Sequence, residues 1–392
     1  MPVISLPKRR YAPRLYRLTS ESVTEGHPDK VADQIADAVL DEIIRGDPDA
    51  HVDIEVLIMR GTVVVTGQVT TTTYVDIQKV VRGVLRDIGF DNSKVGLDSE
   101  TCGVLVSIDE QSPDIARGVN RKGAGDQGLV GGYATNETSE LMPLPIILAH
   151  KLVKCLADVR HNKTLPYLRP DGKSQVTVEY EDGKPKRVSA VVIAAQHDEH
   201  VLMKQLRRDI TKQVIRRVIP KRMFDRHTKI IINGTGRFTV GGTLADSGVV
   251  GRKIVVDSYG GAGSTGGGCY SGKDATKVDR SAGYMARYIA KNIVAARLAD
   301  RCSVQIAYAI GISKPVSFTV DTYATGRISD EKIAAAAKRI FDMTPRGMIE
   351  HLKLLRPIYR KTATYGHFGR NDPEFTWERI DMVDELKRAA IR

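Results

Sequence analysis

The chain has 392 residues, 42% hydrophobic and 27% charged, ordinary globular usage that excludes a chain disordered throughout. Lys and Arg number 59 against 47 Asp and Glu, and the resulting +12 favours anionic partners: nucleic acid, an anionic membrane or a polyphosphate. Aromatics at 6% leave little for an extended base-stacking surface, and no run approaches the length of a membrane span. Four scattered cysteines (Cys102, Cys155, Cys269, Cys302), none in a C-x-x-C pair, argue against structural zinc or a disulfide framework.

Residues 1–15 read as a basic arm without the apolar stretch and cleavage site of a signal peptide, so a reducing, cytoplasmic setting is expected. A helix follows, with Val31, Ile35, Val39 and Ile43 recurring every four residues, Pro28 in its first turn, and Gly46 and Pro48 at its end. His27 and Asp29 therefore sit at a helix N-terminus. Val52, Ile54, Val56 and Ile58 alternate with other residues up to a turn at Arg60-Gly61, and Val63–Thr73 returns, placing Glu55 and Gln68 on facing strands. A second hairpin is predicted from Gln175 to Tyr180, through Glu181-Asp182-Gly183-Lys184, and back along Val188–Ala195. Leu202, Leu206, Ile210 and Val214 mark a basic amphipathic helix that stops before Pro220. A strand is expected over Lys253–Asp257, then a glycine-rich loop, then a helix marked by Ala282, Met285, Ile289 and Ile293. Hairpins mixed irregularly with helices predict an α+β fold.

The loop from Gly260 to Asp274 holds two partial motifs. Gly261-x-Gly263-x-x-Gly266 fits a dinucleotide fingerprint, but more glycine and polar residues follow where a helix should open. Gly267-x-x-x-x-Gly272-Lys273 fits a P-loop, except that Asp274 replaces the magnesium-binding Ser or Thr. Nearby Arg252, Lys253, Lys273 and Lys277 nevertheless make a phosphate cradle reasonable. Taken singly, other residues read blandly: His27 as a cap or packed histidine, Asp29 as a dipole partner, Lys173 as a solvated turn lysine, Asp126 as a turn residue, and Asp279 as a helix cap. Cys269 has no base nearby in sequence to make it a nucleophile.

Together the segments carry a resemblance. Glu21-Ser22-Val23-Thr24-Glu25-Gly26-His27-Pro28-Asp29-Lys30, Gly123-Ala124-Gly125-Asp126-Gln127-Gly128, Tyr133-Ala134-Thr135-Asn136-Glu137-Thr138 and Gly268-Cys269-Tyr270-Ser271-Gly272-Lys273-Asp274 stand in order, followed by Lys277-Val278-Asp279-Arg280-Ser281 and Tyr365-Gly366-His367-Phe368-Gly369-Arg370. From Arg17 to Trp377 the chain resembles the S-adenosylmethionine synthetase (methionine adenosyltransferase) family. The resemblance implies three similar α+β domains in a pseudo-threefold arrangement, built partly from non-consecutive segments. Boundaries are expected at 16–113, 114–239 and 240–392, with a mobile loop near 111–123. It further implies a homodimer with active sites between subunits, commonly paired into a tetramer. ATP and L-methionine are the implied partners, with neither nucleic acid nor membrane. The implied reaction is sulfur attack on C5′ of ATP, followed by hydrolysis of bound tripolyphosphate.

By the same resemblance, His27 and Lys173 bracket the triphosphate, and Lys273, Arg252 and Lys253 also bind phosphate. Asp29 and Asp279 match magnesium ligands, with about two Mg2+ per site, and Glu55 matches a potassium (K+) ligand. Asp126, Asp171, Arg237, Phe238 and Asp246 match nucleotide contacts, Asp246 also reaching the amino acid. Gln111 and Lys277 match methionine contacts, and Cys269 stands where the family has a small residue. Four departures accompany the match. Gln68 replaces a glutamate expected to hold the methionine ammonium, and the segment after Gln111 is shorter than in many bacterial relatives. Gly241–Asp246 lacks the usual proline and glycine, and Thr265 replaces a histidine. Two competing readings follow. One is a diverged paralogue, favoured by Gln68: a nucleotide-binding or regulatory subunit, a tripolyphosphatase, or an enzyme using a methionine analogue. The other is a nucleic-acid module, suggested by +12 and the helix bearing Arg207, Arg208, Lys212, Arg216 and Arg217.

Overall fold

β1 (Leu15–Val23) leads through Thr24 and His27 into α1 (Pro28–Gly46), the helix that the four-residue apolar recurrence predicts. The computed structural model describes residues 14–92, 95–111 and 123–391; the basic arm up to residue 13 and the predicted loop at 112–122 lie outside them. β2 (His51–Met59) and β3 (Thr62–Thr70) form the first predicted hairpin, with Val52, Ile54, Val56 and Ile58 facing inward. α1 packs beneath it and is buried nearly all round, its charged residues Lys30, Asp33 and Asp37 included. Beside it lies α2 (Ile77–Ile88), and β4 (Gly103–Asp109) runs parallel to β3.

Three sheets organise the chain, each with helices against it. The first has the order β4-β3-β2-β9, β9 being Gly248–Val249. The second runs β1-β6-β7-β8, where β6 is Leu168–Glu181, β7 Lys184–His197 and β8 Lys229–Ile232. It carries the helix Leu144–His161, and Leu206 and Ile210 of the helix Met203–Ile210 join the same buried core. The third runs β11-β10-β5 (Ser317–Asp321, Arg301–Tyr308 and Gly128–Thr135), against the helix Val278–Ala295. Each sheet thus joins strands far apart in the chain. The fold is three similar α+β domains built partly from non-consecutive segments.

The second predicted hairpin is present with longer arms, and its turn narrows to Asp182-Gly183. Both residues have positive φ (49° and 80°), the handedness that suits a two-residue hairpin turn. The basic helix is interrupted by a π-helical stretch at Thr211–Ile215. Leu206, Ile210 and Val214 enter the core, while Arg207, Arg208, Lys212, Arg216 and Arg217 face solvent.

Two local expectations are corrected. Lys253–Asp257 is not a strand. Ile254–Asp257 forms one helical turn, the Asp257 N–H donating to the Lys253 carbonyl at 2.8 Å. The Asp257 carboxylate is buried against Lys30, and this tertiary pair overrides the β propensity of the Ile-Val-Val run. Lys173 is not in a turn either. It lies within β6, opposite Val23 of β1 and Ala194 of β7, because β6 begins before the Pro170-Asp171-Gly172 sequence that reads as a turn.

Candidate active site

Three separated segments meet at the N-terminus of α1. His27 is the N-cap and Asp29 lies in the first turn. The Thr24 N–H donates to the Gly172 carbonyl at 2.9 Å and the Thr24 hydroxyl to the Pro170 carbonyl at 2.7 Å, fastening this turn to the strand bearing Asp171 and Lys173. From the other side, the Val249 N–H donates to Asp29 at 3.1 Å and the Gly251 N–H to Asp33 at 2.8 Å. That brings Lys253 Nζ to 2.6 Å from Asp29, with Arg252 at 3.8 Å. His27, Lys173, Arg252 and Lys253 therefore gather at a positive helix end, an arrangement suited to phosphate.

The charge states follow from packing. Burial, then Lys253 and Lys173, push His27 down to about 3, so its ring is neutral and its 4.0 Å approach to Asp29 is no ion pair. His27 Nδ1 accepts the Asp29 N–H at 3.2 Å, which places the proton on Nε2 and leaves a neutral donor. Burial alone would raise Asp29, but hydrogen bonds from Lys253 and Val249 hold it below the usual carboxylate range. Asp171 is buried, and burial raises it. One oxygen accepts the Gly242 N–H at 2.8 Å, while the other has no partner among the described residues. Arg237 and Asp246 are exposed, and Phe238 is linked through its backbone to His197.

A second group surrounds the N-terminus of the Val278–Ala295 helix. Its Asp279 repeats the placing of Asp29: each lies in a first turn, and Lys273 Nζ is 2.6 Å from Asp279. A Cβ at Gly268 would fall 2.1 Å from the Asp279 carboxylate, so only glycine lets the loop cover it. The first sheet is stapled to this loop, since the Ile54 N–H donates to the Gly272 carbonyl at 2.9 Å and the Asp274 N–H to the Val52 carbonyl at 3.0 Å. Lys277 is the N-cap of this helix, its Nζ 3.8 Å from Asp53, and Glu55 and Gln68 lie on the two strands of the hairpin stapled to it. Gln111 follows β4 and its N–H reaches the Thr70 hydroxyl at 3.3 Å. Asp126 is exposed and accepts its neighbour's N–H at 2.7 Å. Burial pushes the Cys269 thiol up to about 11, so it is no nucleophile. A cavity of 720 Å³ between α1 and α2, lined by Tyr74, Lys79 and Arg360, shares no residue with either group.

The donor set fits magnesium held jointly with phosphate. Asp29 and Asp279 each offer one carboxylate beside cations, and among the described residues no cluster of three His, Cys, Asp or Glu side chains forms a complete protein cage. Sequence reasoning missed Asp33, which is four residues after Asp29 on the same helix face and orients the Gly251–Lys253 segment. The i, i+4 spacing was the available signal.

The fold and paired helix termini define a family that three family models identify. They are described as the N-terminal, central and C-terminal domains of S-adenosylmethionine synthetase, matching residues 15–113, 121–238 and 240–379. The chain is 54% identical over 382 residues to an S-adenosylmethionine synthase of Syntrophobacter fumaroxidans, covering 96% of this chain and 98% of the relative. It is 56% identical over 388 residues to an S-adenosylmethionine synthase of Pseudothermotoga lettingae, covering 95% and 98%. The chain belongs to the S-adenosylmethionine synthetase family. Its activity is that of a methionine adenosyltransferase, a transferase of S-adenosylmethionine biosynthesis. Among the described residues no helix is long and apolar enough to cross a membrane.

Proposed function

We propose that the enzyme joins L-methionine to ATP by attack of the thioether sulfur on C5′, then hydrolyses the tripolyphosphate it has released. The convergence of His27, Lys173, Arg252 and Lys253 on the N-terminus of α1 carries this reading. A thioether brings a lone pair and no proton, so no general base is required. The sulfur–carbon bond forms as the C5′–O bond breaks, and the bond's electrons pass to the tripolyphosphate. The sulfur becomes a sulfonium. The difficulty is the charge of the leaving group, and preorganised donors lower that barrier. Lys173 and neutral His27 face it as donors, with Lys273, Arg252 and Lys253 along the chain of phosphates. Hydrolysis then adds one water and yields phosphate and diphosphate.

Asp171, Arg237, Phe238, Asp246, Asp126 and Cys269 are assigned to the nucleotide, and Gln111, Gln68 and Lys277 to methionine. Asp29 and Asp279 would hold magnesium and Glu55 potassium; bound magnesium supplies charge neutralisation on the phosphates. We further propose domain boundaries at 16–113, 114–239 and 240–392, a homodimer with sites between subunits that pairs into a tetramer, and a cytoplasmic setting. Exposed Leu105 and Val106 on edge strand β4 support a subunit contact.

The test supplies ATP, L-methionine, Mg2+ and K+ to the purified chain and follows products by mass spectrometry. S-adenosylmethionine with phosphate and diphosphate is expected; phosphate release without S-adenosylmethionine would favour a tripolyphosphatase. Asp29→Asn and Asp279→Asn should each raise the magnesium concentration needed for half-maximal rate. A variant with the wild-type titration would reduce that aspartate to a helix-terminus charge.

A further inference from the structure

The register of the first hairpin puts a carboxylate opposite Gln68. β2 and β3 pair antiparallel with Asp53 facing Gln68, while Glu55 faces Thr66. Directly opposed side chains in such a pair lie on one face, with Cβ atoms about 4.5–5.5 Å apart. The register is held locally. Gly67 has φ 132°, and a Cβ there would lie 2.0 Å from the Asp53 carbonyl oxygen, so a side chain at 67 would force the strands apart beside Asp53.

The surroundings of Asp53 match an α-amino acid. Its backbone forms a bridge with Lys273, and its carboxylate is 3.8 Å from Lys277 Nζ. The Asp53 side chain keeps 36% of its surface open to solvent. Gln111 adjoins the same face through Thr70, two residues beyond Gln68. It is buried, with 8% of its surface exposed, and its Oε1 has no partner among the described residues. An unpartnered buried acceptor costs stability unless a donor arrives. One carboxylate, one ammonium and one amide oxygen are the counterparts of a zwitterion: the first and last receive its ammonium, and Lys277 its carboxylate.

We propose that Asp53 receives the α-ammonium of the methionine substrate, supplying from the facing strand the carboxylate that Gln68 does not. Gln68 then serves as a neutral neighbour, and the amino-acid side keeps its full complement of charge. The proposal rests on the assignment of methionine to this group of residues.

The test measures KM for methionine and for ATP, with kcat, in Asp53→Asn. The methionine KM should rise about tenfold or more, the scale of one charge-assisted hydrogen bond, with the ATP KM unchanged. Asp53→Asn combined with Gln68→Glu returns a carboxylate to the other strand and should bring the methionine KM back toward wild type. If Asp53 served only as a structural partner of Lys277, its removal would free that lysine, and the methionine KM would stay level or fall; that result overturns the proposal. A raised potassium requirement with an unchanged methionine KM would also overturn it, assigning Asp53 to the cation beside Glu55. A double variant left as weak as Asp53→Asn does the same. Failure of the wild-type chain to form S-adenosylmethionine at all would instead count against the assignment of methionine.

Discussion

Lys173→Met is expected to lower kcat by about 10²–10³ while leaving ATP affinity within a few-fold of wild type. The lysine sits in the middle of β6 between β1 and β7, so its backbone position is set by two strands, and its side chain is exposed. A methionine of similar length replaces the charge without emptying the core. On the proposed assignment ATP would keep Arg252, Lys253 and Lys273, so the loss should fall on the charge that develops as the C5′–O bond breaks. Single-turnover kinetics alongside equilibrium ATP binding separate the two quantities. An unchanged kcat would remove Lys173 from the mechanism; equal losses in affinity and rate would make it a general phosphate contact.

Lys30→Met should destabilise the fold by about 3–5 kcal/mol, the scale seen when one member of a buried ionic group is removed. Lys30 is fully buried, bonds Asp33 at 2.8 Å, and closes on Asp257. Burial works against its charge, but Asp257 and Asp33 hold its affinity for the proton above the ordinary lysine value. Without the ammonium, two buried carboxylates face each other unpaired. Asp33 also accepts the Gly251 N–H, so its displacement would move the segment carrying Arg252 and Lys253. Denaturant unfolding should show a lower midpoint with an unchanged slope, and activity should fall even below the unfolding range. A variant as stable as wild type would mean that the two aspartates take up protons without structural cost.

Much of the architecture was legible from periodicity. The apolar recurrence from Val31 to Ile43 fits a helix, and the alternation from Val52 to Ile58 a strand, because these patterns match the spacing at which each element faces a core. The register that sets Asp53 opposite Gln68 is legible as well. The Arg60-Gly61 turn fixes the opposed pairs, and counting back from Met59 and Thr62 sets Asp53 against Gln68. The failures have a common cause. Ile254–Asp257 carries β-branched residues, yet a buried ion pair with a residue 227 positions away made it helical. Lys173 followed turn-forming residues, yet two neighbouring strands drew them into the sheet.

Helix α1, the two hairpins, the family motifs and the residue types of the site can be read from the chain alone, because each depends on spacing within a few turns. Tertiary packing settles which of those residues meet. Thr24 had to reach Gly172, Val249 had to reach Asp29, and Gly272 had to lie against Ile54 before two sets of charges gathered at two helix ends. It also decided their protonation. His27 is neutral because burial and two neighbouring lysines disfavour its cation, and that field comes from segments far from it in sequence.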